Sequence, residues 1–211
     1  MRNVLIANPK GGSGKTTLST NLAGYFASLG GHVVLSDLDR QQSATEWLQR
    51  RPAALPTIHH HQPRTQALPL GADWVISDSP AGFKQDKLSD AVKQADCILV
   101  PVQPSAFDMG ATRHFLELLA TEKAVRKSKT AVALVGIRVN SRSNASASLA
   151  SFMQASNLPV LTYLRNAQIY ASAAELGMSV FDMRPSLVAQ DWAQWEPLLD
   201  WVVETTDNNM R

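Results

Sequence analysis

The sequence predicts an α/β fold in which a mostly parallel β-sheet is flanked by helices on both faces, and three observations carry the prediction. Short β-rich apolar runs alternate with helical stretches along the chain. A glycine-rich loop stands between the first apolar run and the first helix. The length, 211 residues, suits one α/β domain with a full core and leaves little room for a second. Residues 1–211 are therefore read as a single domain.

The apolar runs lie at 3–7, 32–36, 74–77, 97–102, 131–139 and 159–164, and their alternation with helices favours parallel strands joined by crossovers. Between the first two, residues 16–29 carry Leu18, Leu22, Tyr25, Phe26 and Leu29 near helical spacing. Further helices are expected over 105–124, 145–155 and 186–205, with Ser105 three residues before Asp108 as a capping pair. The stretch 51–71 is rich in Pro and His and weakly periodic, which predicts a short strand with surface connections rather than a domain boundary. His59, His60 and His61 sit within it. Neighbours on a strand point to opposite faces and no second ligand cluster accompanies them, so they read as strand or loop surface rather than a metal site.

Composition excludes several classes. No apolar run reaches the roughly 18 to 20 residues needed to cross a bilayer, and the apolar stretch in residues 1–8 is too short for a secretory signal and runs straight into the glycine-rich loop. The single cysteine, Cys97, rules out an intrachain disulfide framework and a paired cysteine metal site, which suits a cytoplasmic protein. A net charge of +2 leaves nucleic-acid binding open, because such binding depends on where basic side chains cluster.

The chemistry is carried by Lys10-Gly11-Gly12-Ser13-Gly14-Lys15-Thr16-Thr17. Placed between a strand and a helix, such a loop lets backbone N–H groups and a helix N-terminus meet a phosphate. Gly11, Gly12 and Gly14 let the main chain curl around it, and Lys15 can reach the β- and γ-phosphates. The Thr16 hydroxyl can ligate Mg²⁺, and Thr17 is placed for the α-phosphate. The phosphates of a nucleotide with Mg²⁺ are the expected ligand set. The ordinary P-loop would have glycine where this chain has Pro9, and an extra lysine, Lys10, stands inside the loop. Farther on, residues 74–77 lead into Asp78 at a strand end, where a carboxylate can hold Mg²⁺ directly or through water.

The loop matches the deviant Walker-A pattern KGGxGKT, and the chain resembles the ParA/MinD family of ATPases over roughly residues 2 to 182. The resemblance implies that Lys10 reaches the partner's phosphates across a homodimer that sandwiches ATP. Ser36-Asp37-Leu38-Asp39-Arg40-Gln41-Gln42 is similar to the family's DxDPQ segment, which implies that Asp39 orients the attacking water. Arg40 stands where the family usually has proline, and strand-end or capping roles compete for both aspartates. Asp78-Ser79-Pro80-Ala81-Gly82 looks like the DxPxG switch, in which Gly82 approaches the γ-phosphate through its amide. Asn140, after Arg138-Val139, falls where relatives hold adenine. Arg165 and Asn166 open a segment, followed by 177–181, that resembles the late base-binding loop of short ParA-like proteins. Turn and core roles compete with ligand contact there.

The resemblance further implies a slow ATPase, stimulated by a ParB-like protein or cargo adaptor, that partitions or positions cargo by binding DNA non-specifically and sits on the nucleoid when ATP-bound. Plasmid or chromosome DNA is the leading cargo; a protein microcompartment or chemoreceptor cluster, or a metabolic ligase of related fold, is the alternative. Residues 123–129, with Lys123, Arg126, Lys127 and Lys129, are candidates for DNA contact together with Arg138, Arg142, Arg165 and Arg184. MinD-like membrane binding is not expected, because the tail carries Asp191, Glu196, Asp200 and Glu204 where a basic amphipathic helix would need Lys or Arg. Its tryptophans are expected to pack the helix onto the domain. The P-loop arrives within ten residues of Met1, so no N-terminal helix-turn-helix and no operator-specific repression are expected.

Overall fold

The computed structural model describes residues 1–62, 67–83 and 85–209. Among them, β1 (Arg2–Ile6), β2 (Val33–Asp37), β3 (Ile58–His61), β4 (Trp74–Asp78), β5 (Cys97–Val102), β6 (Ala131–Val139) and β7 (Val160–Arg165) form one sheet. The strand order is β3-β2-β4-β1-β5-β6-β7, and every pairing is parallel. The expected short strand in 51–71 is β3; residues 63–66 of that stretch lie outside the described residues. The helices are α1 (Lys15–Ser28), α2 (Ser43–Arg50), α3 (Gln85–Gln94), α4 (Ala106–Thr121), α5 (Lys123–Arg126), α6 (Asn144–Gln154), α7 (Gln168–Glu175) and α8 (Pro185–Asn209). A 3₁₀ turn spans Val180–Asp182.

A sheet covered on both faces needs strands that are apolar on both faces. In β1, Val4 and Ile6 enter one core while Leu5 enters the other, followed there by Ala7. In β5, Cys97 and Leu99 alternate with Ile98, Val100 and Val102 in the same way. The first core takes Leu18, Leu22 and Phe26 from α1 and Trp195, Leu198 and Val202 from α8. The second takes Leu88 and Val92 from α3, Phe115 and Leu119 from α4, and Leu149 and Met153 from α6. Phe26 stacks on Trp74 with ring centroids 3.6 Å apart.

The tail packs as expected. Trp195 is fully buried and donates its Nε1 hydrogen to the Tyr170 hydroxyl at 3.1 Å, Trp201 is half-buried against the core, and Trp192 is partly exposed. Three short helices, α2, α3 and α7, were not anticipated, and the helix expected over 105–124 stops at Thr121. Glu122 turns extended (φ −65°, ψ 132°) before the single turn of α5. The end of α2 is tied to the 3₁₀ turn by a buried ion pair, Arg51 Nη1 to Asp182 Oδ2 at 2.9 Å. Gly177, at φ 65°, passes so close to the Arg50–Arg51 backbone that a Cβ would overlap it.

The two sheet edges are finished differently. β3 has only four residues, three of them histidine. Along β7, the Arg165 N–H donates to Gln194 Oε1 of α8 at 3.0 Å and the Thr162 hydroxyl to the Gln194 carbonyl at 2.6 Å.

Because all strands run one way, their C-terminal ends share one rim. The chain builds outward from β1 to β4, β2 and β3 on one side and to β5, β6 and β7 on the other. The crevice where such a sheet switches direction is the expected ligand position.

Candidate functional site

The loop leaving β1 lies at that crevice. Gly14 caps α1 in the left-handed region (φ 90°, ψ 15°), and a Cβ there would overlap Ile137 Cδ1 from β6, so glycine is required both by backbone and by space. No side chain caps α1 and no acidic residue stands in its first turn. Its first N–H groups and the positive end of its dipole are thus directed at the loop, an arrangement suited to an anion.

Lys15 is buried, and its ammonium donates to the Lys10 carbonyl at 2.8 Å and to Ser13 Oγ at 3.4 Å, spanning the loop mouth. Burial pulls its pKa below the ordinary lysine value, against the attraction of Asp78 and Asp39. Thr16 donates its hydroxyl to Asp78 Oδ2 at 2.7 Å. Asp78 is 1 % exposed, and burial pushes its carboxyl up to about 7 against the Thr16 hydrogen bond, with Asp37 adding to the rise and Lys15 and Ser19 opposing it. Asp78 Oδ1 and Ser79 Oγ are buried without a hydrogen-bond partner among the described residues. A buried carboxylate oxygen left over beside a threonine hydroxyl is a hard-oxygen donor pair that fits Mg²⁺. Among the described residues no cluster of three His, Cys, Asp or Glu converges.

Asp37 and Asp39 sit at the end of β2. Asp37 Oδ1 accepts the Asp39 N–H at 3.0 Å, while its Oδ2 accepts both the N–H and the hydroxyl of Thr45 at 2.9 and 3.0 Å. Asp39 starts a tight turn that closes through the Gln42 N–H onto the Asp39 carbonyl at 3.3 Å. The turn forms with Arg40 at the position following Asp39, where proline is favoured but most residues are accepted. Gly82, at φ 65°, donates its N–H to the Pro9 carbonyl at 3.1 Å, so the Asp78–Gly82 segment touches the P-loop directly.

Asn140 and Asn166 come together at the ends of β6 and β7, where the Asn166 N–H reaches the Val139 carbonyl at 3.0 Å; both are exposed on the rim. Asn140 Oδ1 accepts the Arg142 N–H at 3.3 Å. Arg165 is differently committed. Its Nε and Nη2 grip Asp191 Oδ1 and Oδ2 at 2.9 and 2.8 Å, and Asp191 is fully buried. The hydrogen bond to Asp191 raises the arginine pKa further. Of the two roles open to Arg165 in the sequence, the observed contacts are those of core packing.

The basic candidates do not share one face. Arg138, near the C-terminal end of β6, and Arg142, just after it, lie at the P-loop rim, whereas exposed Lys123, Arg126, Lys127 and Lys129 precede β6 at the opposite end of the sheet.

Two groups escaped the sequence reading. Asn8, 2 % exposed, donates to the Pro101 carbonyl at 2.8 Å and to Thr112 Oγ1 at 3.0 Å, and its Oδ1 accepts the Lys10 N–H at 2.9 Å. It thereby anchors Lys10 to β5 and α4. The only signal was a polar residue closing an apolar strand. Asn8→Ala should destabilise the chain by about 1–3 kcal/mol through stranded buried partners, read by urea unfolding; a midpoint unchanged from wild type would contradict the anchoring role. The other group is Thr45 with the histidines of β3: His60 Nε2 meets Thr45 Oγ1 at 3.0 Å and His61 Nδ1 meets Ser36 Oγ at 3.1 Å.

Comparison with known proteins shows the family and the fold. The profile of the CobQ/CobB/MinD/ParA nucleotide binding domain matches residues 4–180. The maintenance of carboxysome distribution protein A of Halothiobacillus neapolitanus is 30% identical over 187 residues, covering 84% of this chain and 86% of the relative. Apo McdA of Cyanothece superposes with a TM-score of 0.75 at 19% identity, covering 97% of this chain and 99% of that one. A plasmid partition protein of Borrelia burgdorferi bound to AMPPNP gives a TM-score of 0.71 at 14% identity, covering 94% and 98%. The chain belongs to the CobQ/CobB/MinD/ParA family of nucleotide-binding domains.

Proposed function

We propose that the chain is an ATP-driven dimerising ATPase that positions cargo by binding DNA non-specifically while ATP is bound. The observation that carries the reading is the second lysine of the loop. Lys15 already serves its own protomer's loop, while Lys10, fixed through its backbone by Asn8, has no partner for its ammonium among the described residues. A loop with one lysine turned inward and one available at the rim suits a phosphate shared between two copies.

Lys15 would exchange the Lys10 carbonyl for the β- and γ-phosphates as the loop N–H groups and the α1 N-terminus take their charge. Mg²⁺ held by Thr16 and Asp78 would neutralise the phosphate oxygens. Asp39 would orient water in line, and Gly82, bonded to Pro9, would report loss of the γ-phosphate to the Asp78–Gly82 segment. Because ATP bridges both copies, the dimer is favoured before hydrolysis and weakened after it.

A protein assembly as cargo is favoured over plasmid DNA by one comparison. The carboxysome-distribution relative matches 84% of this chain, whereas the ParA of Rhizobium radiobacter, 29% identical, matches 63%. Membrane positioning has no comparable support: among the described residues no helix is long and apolar enough to cross a bilayer, and the surface of α8 is acidic.

The test is binding to non-specific duplex DNA with ADP, ATP and a slowly hydrolysed analogue at two salt concentrations, with mass in solution recorded alongside. ATP should convert monomer to dimer and raise DNA affinity by about tenfold or more, with a steep salt dependence, and Lys10→Ala should lose both. A monomer indifferent to ATP and DNA would overturn the reading in favour of a small-molecule ligase.

A further inference from the structure

We propose that His60 is a positioning residue for hydrolysis, acting through Thr45 and Asp37 on Asp39. The inference rests on the reading of the chain as an ATPase in which Asp39 orients the attacking water.

The parallel register of β3 on β2 places His60 opposite Leu35 and His61 opposite Ser36. Strand alternation then turns His60 to the same face as Ile58, which packs in the core with Ala44 and Trp47 of α2. That face brings the imidazole to Thr45, which follows Ala44 on α2. His60 Nε2 and Thr45 Oγ1 are 3.0 Å apart, and Thr45 in turn reaches Asp37 Oδ2 through its hydroxyl at 3.0 Å and its N–H at 2.9 Å.

Counting protons sets the direction. A threonine hydroxyl has one hydrogen, and a carboxylate can only accept. If that hydrogen goes to Asp37, the lone pair faces the imidazole, and His60 must donate from Nε2. The assigned chain is therefore His60 Nε2–H to Thr45 Oγ1, Thr45 Oγ1–H to Asp37 Oδ2, and the Asp39 N–H to Asp37 Oδ1 at 3.0 Å. Asp37 is buried and has both oxygens engaged, so its carboxylate plane is fixed, and with it the direction in which the chain enters the Asp39 turn. Among the described residues, Asp39 has only the Gln41 N–H, at 3.1 Å, on its own carboxylate. Its aim is consequently set from behind, by a residue on the sheet's edge strand.

A chain of bonds that orients a catalytic group should affect the chemical step more than binding. The experiment is single-turnover ATP hydrolysis by the full chain with Mg²⁺, beside ATP affinity and thermal unfolding, for wild type, His60→Ala, His60→Gln, Thr45→Val and the His60→Ala/Thr45→Val double variant, with Asp39→Ala as reference. His60→Ala and Thr45→Val should each slow hydrolysis by about tenfold, the scale of a modestly misplaced group, with ATP affinity within about twofold. The double variant should lose no more than the worse single one, because both break the same chain. His60→Gln, whose amide nitrogen can donate at similar reach, should recover most of the rate.

An unchanged rate in His60→Ala, additive losses in the double variant, or a His60→Gln as slow as His60→Ala would overturn the proposal. So would rate and affinity falling together. Should Asp39→Ala hydrolyse ATP like wild type, the assignment of Asp39 fails and the His60 chain with it. Should Asp39→Ala be inactive while the His60 variants are normal, the ATPase reading stands and only the positioning role falls.

Discussion

Asp78→Asn is expected to make the nucleotide-free protein more stable at pH 8 while abolishing its response to Mg-ATP. The carboxyl is 1 % exposed and burial raises its pKa from 3.8 to about 7, so the folded chain holds a proton that the unfolded chain releases near pH 4. A raised carboxyl pKa contributes stability that is fully present below the unfolded value and lost as pH climbs through the folded one. Wild-type stability without ligand should therefore fall between about pH 4 and pH 7, by something on the order of 4 kcal/mol if this carboxyl dominates. The asparagine variant carries no such titration. Its unfolding free energy should vary less over that window and exceed wild type at pH 8 by about 2–4 kcal/mol, measured by chemical denaturation in metal-free buffer. The same variant loses the charged donor beside Thr16, so added Mg-ATP should no longer raise its melting temperature. A variant less stable than wild type at pH 8, or a wild type indifferent to pH, would show that the buried carboxyl is compensated by something other than the cation.

The second large effect concerns Arg165. Removing its guanidinium leaves Asp191, fully buried, without the partner that grips both its oxygens. Arg165→Ala should destabilise the chain by about 3–5 kcal/mol, reduced where the partly exposed arginine lets water reach the carboxylate. Asp191→Leu combined with Arg165→Met should recover most of that loss, since a buried pair replaced by apolar groups of similar size is often neutral. Urea unfolding of the single and double variants decides it. A mild Arg165→Ala with weakened nucleotide binding would instead make Arg165 a ligand contact.

Much of the architecture was legible because β-strands buried on both faces announce themselves as continuous apolar runs, and a P-loop announces itself by its glycines and lysine. The helices that escaped prediction are short and bury few side chains: α3 commits only Leu88 and Val92 to the core, and α2 only Ala44, Thr45 and Trp47. Such elements owe their existence to the sheet beneath them, which periodicity over eight or ten residues does not reveal. The site was legible where chemistry demands a residue in a local motif, as at Lys15, Thr16 and Asp78. It was not legible where the partner is distant in sequence. Asn8 meets Thr112, Thr45 meets Asp37 and His60, and Arg165 meets Asp191 only after the chain has folded. His60 and His61 read as surface because nothing local marks the hydroxyls that wait for them.

The finish of the two sheet edges limits how copies of this chain can join. A strand edge with open N–H and C=O groups is a template for another strand, and long flat edges invite endless addition. Here one terminal strand is four residues long and mostly histidine, and on the other Gln194 occupies the Arg165 amide that an incoming chain would need. Polymerisation by backbone pairing is thereby discouraged at both ends, and copies of this chain would have to join through side-chain surfaces.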